Sequence, residues 1–412
     1  MMNNIAFLLW SPDISGGTNV IFEHATRLLA MGNAVTIITD DKPSKSRLKW
    51  FPGSEKLTWL TYLEAESLQF DLVIATWWRT VFYLNKIKSK KYAFFVQSIE
   101  SRFYPEDEVF LRTLVDLTYS LQLNFITEAT WIKEHLKKYY DQDASLVRNG
   151  ISKSYFNNSI SPKSPRVPGK LRVLVEGPLN VSFKNTELAL NLTKESRADE
   201  IWFVTSTEIG AYPNVDRLFS RVPISEIGSI YASCDVLVKL STVEGMFGPP
   251  LEMYHTGGTS ISYDVTGFDE YIQNNYNGLI SFTRDNNEII GFLNRLKDNP
   301  DELDALKKNA LVTAEKWPDW NASSGEFDLV CKQIINSGIL TSTVLLKAQS
   351  DRLWTFYEEF LGQKNRVQPN VSKLETIYVK SRHRIVSKLY RDHPGVFSFL
   401  RKIKWTIKSY LK

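Results

Sequence analysis

Glu244-Gly-Met-Phe-Gly-Pro-Pro-Leu-Glu252 places two carboxylates eight positions apart, separated by a turn rich in glycine and proline. The preceding residues 236–240 are apolar and β-branched, which is typical of a buried parallel strand. Residues 251–256 have helix-forming composition, and two glycines then stop the helix. The pattern predicts Glu244 at the carboxyl end of a strand and Glu252 in the first turns of a helix. Open α/β sheets bind ligands at this edge, and the helix start should offer free N–H groups to a phosphate.

Further features follow this stretch in a fixed order. They are Gly257-Gly-Thr-Ser-Ile-Ser262, Gly267-Phe-Asp-Glu270 and Asn277-Gly-Leu-Ile280, with Ser241 before Glu244. The series resembles the C-terminal half of retaining glycosyltransferases of the GT-B fold, in particular glycosyltransferase family 4. An isolated pair of glutamates at this spacing could equally be two solvated side chains, so the ordered series carries the resemblance.

Length and composition indicate two globular domains. The chain has 412 residues, of which 43% are hydrophobic, and only two cysteines, which fits a reducing compartment. No stretch approaches the ~20 apolar residues that span a bilayer, and the N-terminus lacks a basic signal-peptide region. We therefore expect a cytoplasmic protein that does not cross the membrane.

The first half begins with a βαβ pattern. Residues 5–10 and 35–39 read as strands, and residues 20–31 as the helix between them. Gly16 and Gly17 lie in the first turn, where a diphosphate could approach the backbone. Their spacing differs from the G-x-G-x-x-G of dinucleotide dehydrogenases and resembles that of the N-terminal domain of the glycosyltransferases. The resemblance implies donor binding by both glycines; alone, they could be only a turn.

Two further strand ends carry candidate residues. Gln97 and Glu100 follow the predicted strand 92–96, where many relatives place a histidine near the transferred sugar. The Gln-x-x-Glu-x-x-Phe-Tyr pattern resembles the rhamnosyltransferase branch of the family, which implies a catalytic role for both residues. The alternative is a hydrogen-bonded loop. Trp77 and Trp78 also follow a strand and could stack on a sugar, although we favour a role in the domain core.

We expect five parts in the chain, and the resemblance covers those before about residue 338. They are an N-terminal Rossmann-like acceptor domain (1–156), a linker (157–169), a C-terminal nucleotide-sugar-binding domain (170–320), a helix crossing back to the first domain (321–338) and a helical extension with a basic amphipathic tail (339–412). The linker is rich in proline and serine, as linkers often are. The expected fold class is therefore α/β, with two doubly wound domains facing each other across a cleft.

The second half contains the expected donor site. Members of the resembled family have a Gly-Arg pair after the first strand of this domain and then a lysine, and both cations bind the donor diphosphate. In this chain Lys184 occupies the position of the lysine, and Pro178 replaces the arginine. Losing one charge-assisted contact of about 1.5–3 kcal/mol would weaken donor binding unless another base compensates. By resemblance, Glu244 faces the donor sugar and is assigned a catalytic role, and Glu252 binds the ribose hydroxyls. The other expected donor-binding residues are Gly177, Pro223, Ser241, Phe247 and Gly248.

These features predict retaining transfer of a glycosyl group from a nucleotide-diphosphate sugar to a glycan. We expect no cofactor and no metal, because Lys184, helix N-termini and glycine-loop amides can stabilise the leaving diphosphate. A dTDP-rhamnose donor is the first choice, ahead of UDP- and GDP-sugars. The alternatives are an inactive GT-B-fold subunit that binds glycan, motivated by Pro178 and the missing histidine, and a sugar-nucleotide epimerase.

The tail carries the basic charge of the chain. Residues 373–412 contain eleven Lys or Arg and two acids, a net charge of +9, which leaves −5 for residues 1–372. Placed on a helix, residues 396–412 present an apolar face and a basic face, as interfacial helices do. We predict that residues 394–412 dock on the anionic inner face of the cytoplasmic membrane, where a lipid-linked acceptor would be found. The alternative is a helix packed on the body. Residues 343–362 could mediate oligomerisation, and no nucleic-acid partner is expected.

Overall fold

The computed structural model describes residues 2–364. The N-terminal domain has a sheet of seven parallel strands in the order β3-β2-β1-β4-β5-β6-β7. The strands are β1 (Asn4–Leu8), β2 (Ala34–Thr39), β3 (Thr58–Thr61), β4 (Gln69–Ala75), β5 (Lys88–Val96), β6 (Asn124–Thr127) and β7 (Ala144–Leu146). The helices are α1 (Gly16–Ala30), α2 (Lys45–Leu48), α3 (Tyr62–Ala65), α4 (Trp78–Val81), α5 (Val109–Thr118) and α6 (Thr130–Tyr140).

The C-terminal domain repeats this architecture with six parallel strands in the order β10-β9-β8-β11-β12-β13. The strands are β8 (Arg172–Glu176), β9 (Glu200–Thr205), β10 (Arg217–Ser220), β11 (Val236–Lys239), β12 (Thr259–Tyr263) and β13 (Leu279–Ser281). The helices are α7 (Thr186–Glu195), α8 (Ile224–Tyr231), α9 (Gly248–His255), α10 (Asn286–Asp298) and α11 (Pro300–Glu315). Two more helices follow, α12 (Trp320–Ser337) and α13 (Thr343–Lys364).

Both sheets are buried on both faces, which explains their nearly continuous apolar strands. In β1, Ile5 and Phe7 belong to one hydrophobic core of the first domain, while Ala6 and Leu8 belong to the core on the opposite face. Strand order reverses between β1 and β4 in the first sheet and between β8 and β11 in the second. Such switch points leave a crevice at the carboxyl ends of the strands, and ligands bind there.

Three helix boundaries differ from the sequence prediction. Helix α1 begins at Gly16 because the Ser15 side chain caps it, accepting a hydrogen bond from the Thr18 backbone N–H at 3.1 Å. The two glycines therefore form the first helical turn instead of preceding it. The helical composition of residues 288–315 predicts one helix, but the structure has two, because Pro300 lacks an N–H group and starts α11. Helix α9 begins at Gly248, before the predicted start, with two prolines in its first turn.

The last two helices pack on the N-terminal domain. Helix α12 lies against α1, and its Phe327 contacts the rings of Phe7, His24 and Phe95. In α13, Leu346 is buried and Trp354 packs on Phe82. Helix α13 thus covers the body of its own chain, and association of two copies through residues 343–362 stays a prediction.

The predicted membrane-docking segment, residues 394–412, lies outside the described residues. Among residues 2–364, no helix combines the length and the apolar character needed to span a membrane.

Candidate active site

The loop after β11 carries Glu244 to the domain interface. The Gly245 carbonyl accepts a hydrogen bond from Trp131 Nε1 at 2.9 Å, and the Met246 N–H donates to Glu128 Oε1 at 3.0 Å. A Cβ on Gly245 would lie 1.8 Å from the Gln97 carbonyl oxygen, so only glycine permits this approach. Two hydrogen bonds, to Trp131 in α6 and to Glu128 after β6, and the close approach to Gln97 after β5 therefore hold the loop beside the N-terminal sheet.

A second interdomain contact involves the predicted Gly-x-x-Glu segment. Gly267 has a φ of +85°, and a Cβ there would lie 2.8 Å from the Gly245 carbonyl oxygen. The Glu270 carboxylate reaches the start of α6, where it accepts from the Thr130 backbone N–H and, at 3.1 Å, from the Thr130 hydroxyl. Arg148 Nε donates to the same carboxylate at 3.1 Å. This motif joins the two domains.

Glu244 forms a buried ion pair with Lys184. The lysine Nζ lies 2.8 Å from Oε1 and 2.7 Å from Oε2, and the Glu244 side chain is only 8% exposed. Burial alone would raise the pKa of Glu244, but Lys184, Lys239 and Ser241 together lower it below its ordinary value. The structure therefore brings two predicted residues, Lys184 and Ser241, together around the ionised carboxylate of a third, Glu244.

Lys239 is a functional candidate that the sequence analysis missed. Its side chain is 3% exposed, and Nζ contacts the Glu176 carboxylate and donates to the Glu176 carbonyl at 3.1 Å. Burial would lower the pKa of this lysine, but Glu176, Glu244 and Glu252 raise it. Lys239 is thus a buried cation surrounded by three acids. It lies at the switch point, one position beyond the pairing of Val238 with Val175.

Glu252 lies in α9, is partly exposed, and interacts electrostatically with Glu176 and Lys239. Burial and the neighbouring Glu176 raise its pKa to about 8, although Lys239 and the Tyr231 hydroxyl act in the opposite direction. A carboxyl group with this pKa is mostly protonated at neutral pH.

The start of α9 differs from the expected phosphate-binding helix terminus. Pro249 and Pro250 have no N–H group, and the Gly248 N–H donates to the Met246 carbonyl at 3.0 Å. Phe247 is fully buried, and its carbonyl accepts from the Tyr271 hydroxyl. The expectation of free backbone donors at this helix start is therefore wrong, and the lysines are the cationic groups of the crevice.

Two of the glycines at the switch points, Gly177 and Gly17, lie close to other side chains. A Cβ on Gly177 would lie 2.4 Å from the Thr186 hydroxyl, and its φ of +154° also favours glycine. A Cβ on Gly17 would lie 3.3 Å from Gln97 Oε1, while Gly16 has open space around it. Gln97 Nε2 is 3.5 Å from the Thr76 carbonyl oxygen. Gln97 therefore lies between the α1 start and the Gly245 loop.

Glu100 has a different environment from Gln97. It is buried, its carboxyl group accepts the Trp78 backbone N–H at 2.7 Å, and its own N–H donates to the Tyr119 hydroxyl at 2.9 Å. Burial raises its pKa well above the ordinary value. These contacts indicate that Glu100 holds the loop before α4, and a catalytic role for it stays a prediction. Pro223, at the exposed start of α8, likewise stays a predicted donor contact.

Glu128 is another residue that sequence reasoning missed. It follows β6 and, besides accepting the Met246 N–H, accepts from Asn149 Nδ2 at 3.0 Å. Burial, with a contribution from Glu244, raises its pKa to about 7. The position of Glu128 after a strand of the first sheet is the sequence signal that could identify it. Met246, whose N–H it accepts, lies more than a hundred residues away in the sequence, so the contact itself could not be predicted.

A family model and several solved structures match the chain. Residues 212–312 match the model described as "Glycosyl transferases group 1". The structure of Anabaena HepE in complex with UDP and glucose superposes with a TM-score of 0.65 at 13% identity, covering 80% of this chain and 100% of that one. The chain has the GT-B fold. The prediction of two doubly wound domains facing each other is confirmed.

Other GT-B-fold structures agree with this assignment. Sucrose-phosphate synthase from Thermosynechococcus elongatus gives a TM-score of 0.62 at 14% identity, covering 80% of this chain and 98% of that one. WaaG, a glycosyltransferase involved in lipopolysaccharide biosynthesis, gives 0.58 at 14% identity, covering 81% and 100%. No curated protein matches the sequence. The family model supports the prediction of a transferase.

Over residues 2–364, no group of three or more His, Cys, Asp or Glu side chains is placed to hold a metal ion. Metal-independent chemistry remains a prediction that a chelator can test.

Proposed function

We propose that this protein is a retaining glycosyltransferase that moves a sugar from a nucleotide-diphosphate donor to a growing glycan. The observation that supports this most strongly is the buried Lys184–Glu244 ion pair, at the crevice of the second sheet and held against the first domain. This arrangement offers a cation to a diphosphate and a carboxylate to the adjoining sugar.

In this proposal, the lysines stabilise the negative charge that develops on the leaving diphosphate. Lys184 is partly exposed and can contact a phosphate directly, while the buried Lys239 supplies positive potential behind it. Lys239 thereby compensates for Pro178, which stands where relatives have an arginine. Glu244 orients the donor sugar, and Glu252 accepts hydrogen bonds from the ribose hydroxyls. We assign no nucleophile.

The Glu252 pKa leads to a pH prediction. An ionised carboxylate is the better acceptor for two hydroxyls, and at pH 7 a group with a pKa of about 8 is ionised only about one-tenth of the time. Nucleotide-diphosphate affinity should therefore rise about tenfold from pH 7 to pH 9. Calorimetry across this range checks the result. The Glu252→Gln variant should bind more weakly and lose most of this pH dependence; a wild-type profile that is flat or falls with pH would exclude this role.

The donor is proposed from the sequence pattern. The Gln97-x-x-Glu100 pattern and Pro249-Pro250-Leu-Glu252 resemble bacterial rhamnosyltransferases of surface polysaccharide synthesis, so dTDP-rhamnose ranks first. The HepE structures with UDP, and with UDP-glucose, support a nucleotide-sugar donor in general and keep UDP-sugars as the next choice.

A direct test is to incubate the full-length chain with dTDP-rhamnose, UDP-sugars and GDP-sugars, with and without a glycan acceptor and EDTA. We expect glycan-dependent release of a nucleoside diphosphate that persists in EDTA. Conversion of the donor without a glycan would indicate the epimerase instead. Glycan binding with no turnover of any donor would indicate an inactive subunit, the alternative that Pro178 favours.

The acceptor is proposed to be lipid-linked and reached from the cytoplasmic face of the membrane. The basis is the net charge of +9 on residues 373–412. Deleting residues 394–412 should abolish sedimentation with anionic vesicles, since each basic residue near such a surface contributes about 1 kcal/mol. Transfer to a short soluble acceptor should be retained. Sedimentation of the truncated chain, or none by the full-length chain, would rule out this docking role.

A further inference from the structure

Two tryptophans form a partly exposed pair at the switch point of the first sheet. Trp10 follows β1 and Trp77 follows β4, the neighbouring strands between which strand order reverses. Their ring centroids are 5.2 Å apart and their planes are inclined by 68°. Both side chains retain partial exposure, whereas the adjacent Trp78 is 1% exposed. Core packing therefore explains Trp78 fully but leaves part of the Trp10–Trp77 pair in contact with solvent.

Arg79 and nearby hydrogen bonds hold the pair in position. The Arg79 guanidinium lies 5.3 Å from both the Trp10 and Trp77 ring centroids. Trp78 Nε1 donates to the Tyr104 hydroxyl at 3.0 Å, and the Trp78 backbone N–H donates to Glu100. These bonds fix the backbone next to Trp77. A rigid aromatic surface loses little entropy when a ligand stacks on it.

A chain of contacts connects the pair to the proposed donor site. Thr76 adjoins Trp77, and its carbonyl oxygen is 3.5 Å from Gln97 Nε2. Gln97 in turn adjoins both Gly17 and Gly245: a Cβ on Gly17 would lie 3.3 Å from Gln97 Oε1, and a Cβ on Gly245 would lie 1.8 Å from the Gln97 carbonyl oxygen. Gly245 is the neighbour of Glu244. A ligand on the tryptophans would therefore lie on the N-terminal side of the same cleft that Glu244 enters.

We propose that Trp10 and Trp77 form the subsite for a pyranose ring of the acceptor glycan; this inference rests on the proposed function. One face of a pyranose consists of C–H groups, which pack on an aromatic ring and remove apolar surface from water. The sugar hydroxyls project from the ring edges and remain solvated or hydrogen-bonded. A nucleobase could also stack on these rings. However, the proposed diphosphate site, at Lys184 and Lys239, belongs to the other domain, so we assign the rings to the acceptor and not to the nucleotide.

The test uses calorimetric titration of the full-length chain with two probes, a rhamnose tetrasaccharide and maltotetraose, and separately with dTDP and UDP. Trp77→Leu removes the ring but keeps apolar bulk, whereas Trp77→Phe keeps an aromatic face. Trp59→Leu is the matched control, because Trp59 is a partly buried tryptophan on β3, at the sheet edge away from the switch point.

We expect at least one tetrasaccharide to bind the wild type. Its affinity for Trp77→Leu should be at least tenfold weaker, and its affinity for Trp77→Phe and Trp59→Leu should stay within about threefold of the wild-type value. Nucleotide affinity should be unchanged in all variants. Equal saccharide affinity in Trp77→Leu, equal losses in Trp59→Leu, or no saccharide binding by a protein that binds nucleotide would overturn the subsite. A loss of nucleotide affinity in Trp77→Leu would also overturn it, by placing the rings in the donor site. Failure of the proposed function is read separately, from the turnover assay: donor conversion without a glycan, or no turnover of any donor, would indicate one of the alternative functions whatever the tetrasaccharide affinities of the variants.

Discussion

Replacing Lys184 with methionine is expected to lower kcat/KM for the donor by about 10²–10³-fold. Methionine keeps much of the length of the side chain but removes its charge. The buried Glu244 carboxylate then loses the cation that lies within 2.8 Å of both oxygens, and breaking such a pair typically costs about 3–5 kcal/mol. The donor diphosphate loses a charge-assisted contact as well. Steady-state kinetics and nucleotide calorimetry measure the two effects.

Two control variants separate donor binding from stability. Lys184→Met combined with Glu244→Gln should recover thermal stability, because no buried carboxylate is left unpaired, while nucleotide affinity stays low. Lys42→Met removes an exposed ion pair with Glu64 and should change neither property measurably. Normal nucleotide affinity in a folded Lys184→Met protein would remove Lys184 from the donor site.

Replacing Lys239 with methionine is the second change with a large expected effect. Glu176 would lose its cation, and without Lys239 the pKa of Glu252 should rise further above 8. We expect a loss of stability of about 3–5 kcal/mol and at least a tenfold loss of nucleotide affinity at neutral pH. Denaturant unfolding and calorimetry at constant pH measure these quantities.

Lys91 provides a matched control for Lys239. It is also a buried strand lysine, but it lies in β5 of the first domain and contacts the Gly338 carbonyl instead of a donor-site carboxylate. Lys91→Met should cost stability and leave nucleotide affinity unchanged. The double variant Lys239→Met with Glu176→Leu should regain stability but not affinity. If it regains both, Lys239 serves only to neutralise Glu176.

The fold was predictable because its signals are local. The apolar run before Glu244, the proline and glycine turn, and the helix that follows lie within one short segment, and the central strand β11 is buried along its whole length. The helix starts were less predictable. Gly16 and Gly17 are poor helix formers, and only the Ser15 side-chain cap shows that α1 begins there.

The electrostatic arrangement of the site could not be predicted to the same degree. Lys239 lies in an otherwise apolar strand, and its charge is balanced by Glu176, sixty-three positions earlier. The two side chains meet only because β8 pairs with β11. Glu128 likewise acquires its role through a backbone N–H of the other domain. Sequence patterns indicate which residues end strands, but not which charges meet across two sheets.

The most direct test of the proposed donor site is calorimetric titration of the full-length wild type and of Lys184→Met with dTDP, UDP and GDP in EDTA at pH 8. We predict one nucleotide-diphosphate site per chain in the wild type, selective for one base, and at least a tenfold weaker Kd in Lys184→Met. Absence of binding of all three nucleotides to the folded wild type, or equal affinity in the variant, would contradict the account.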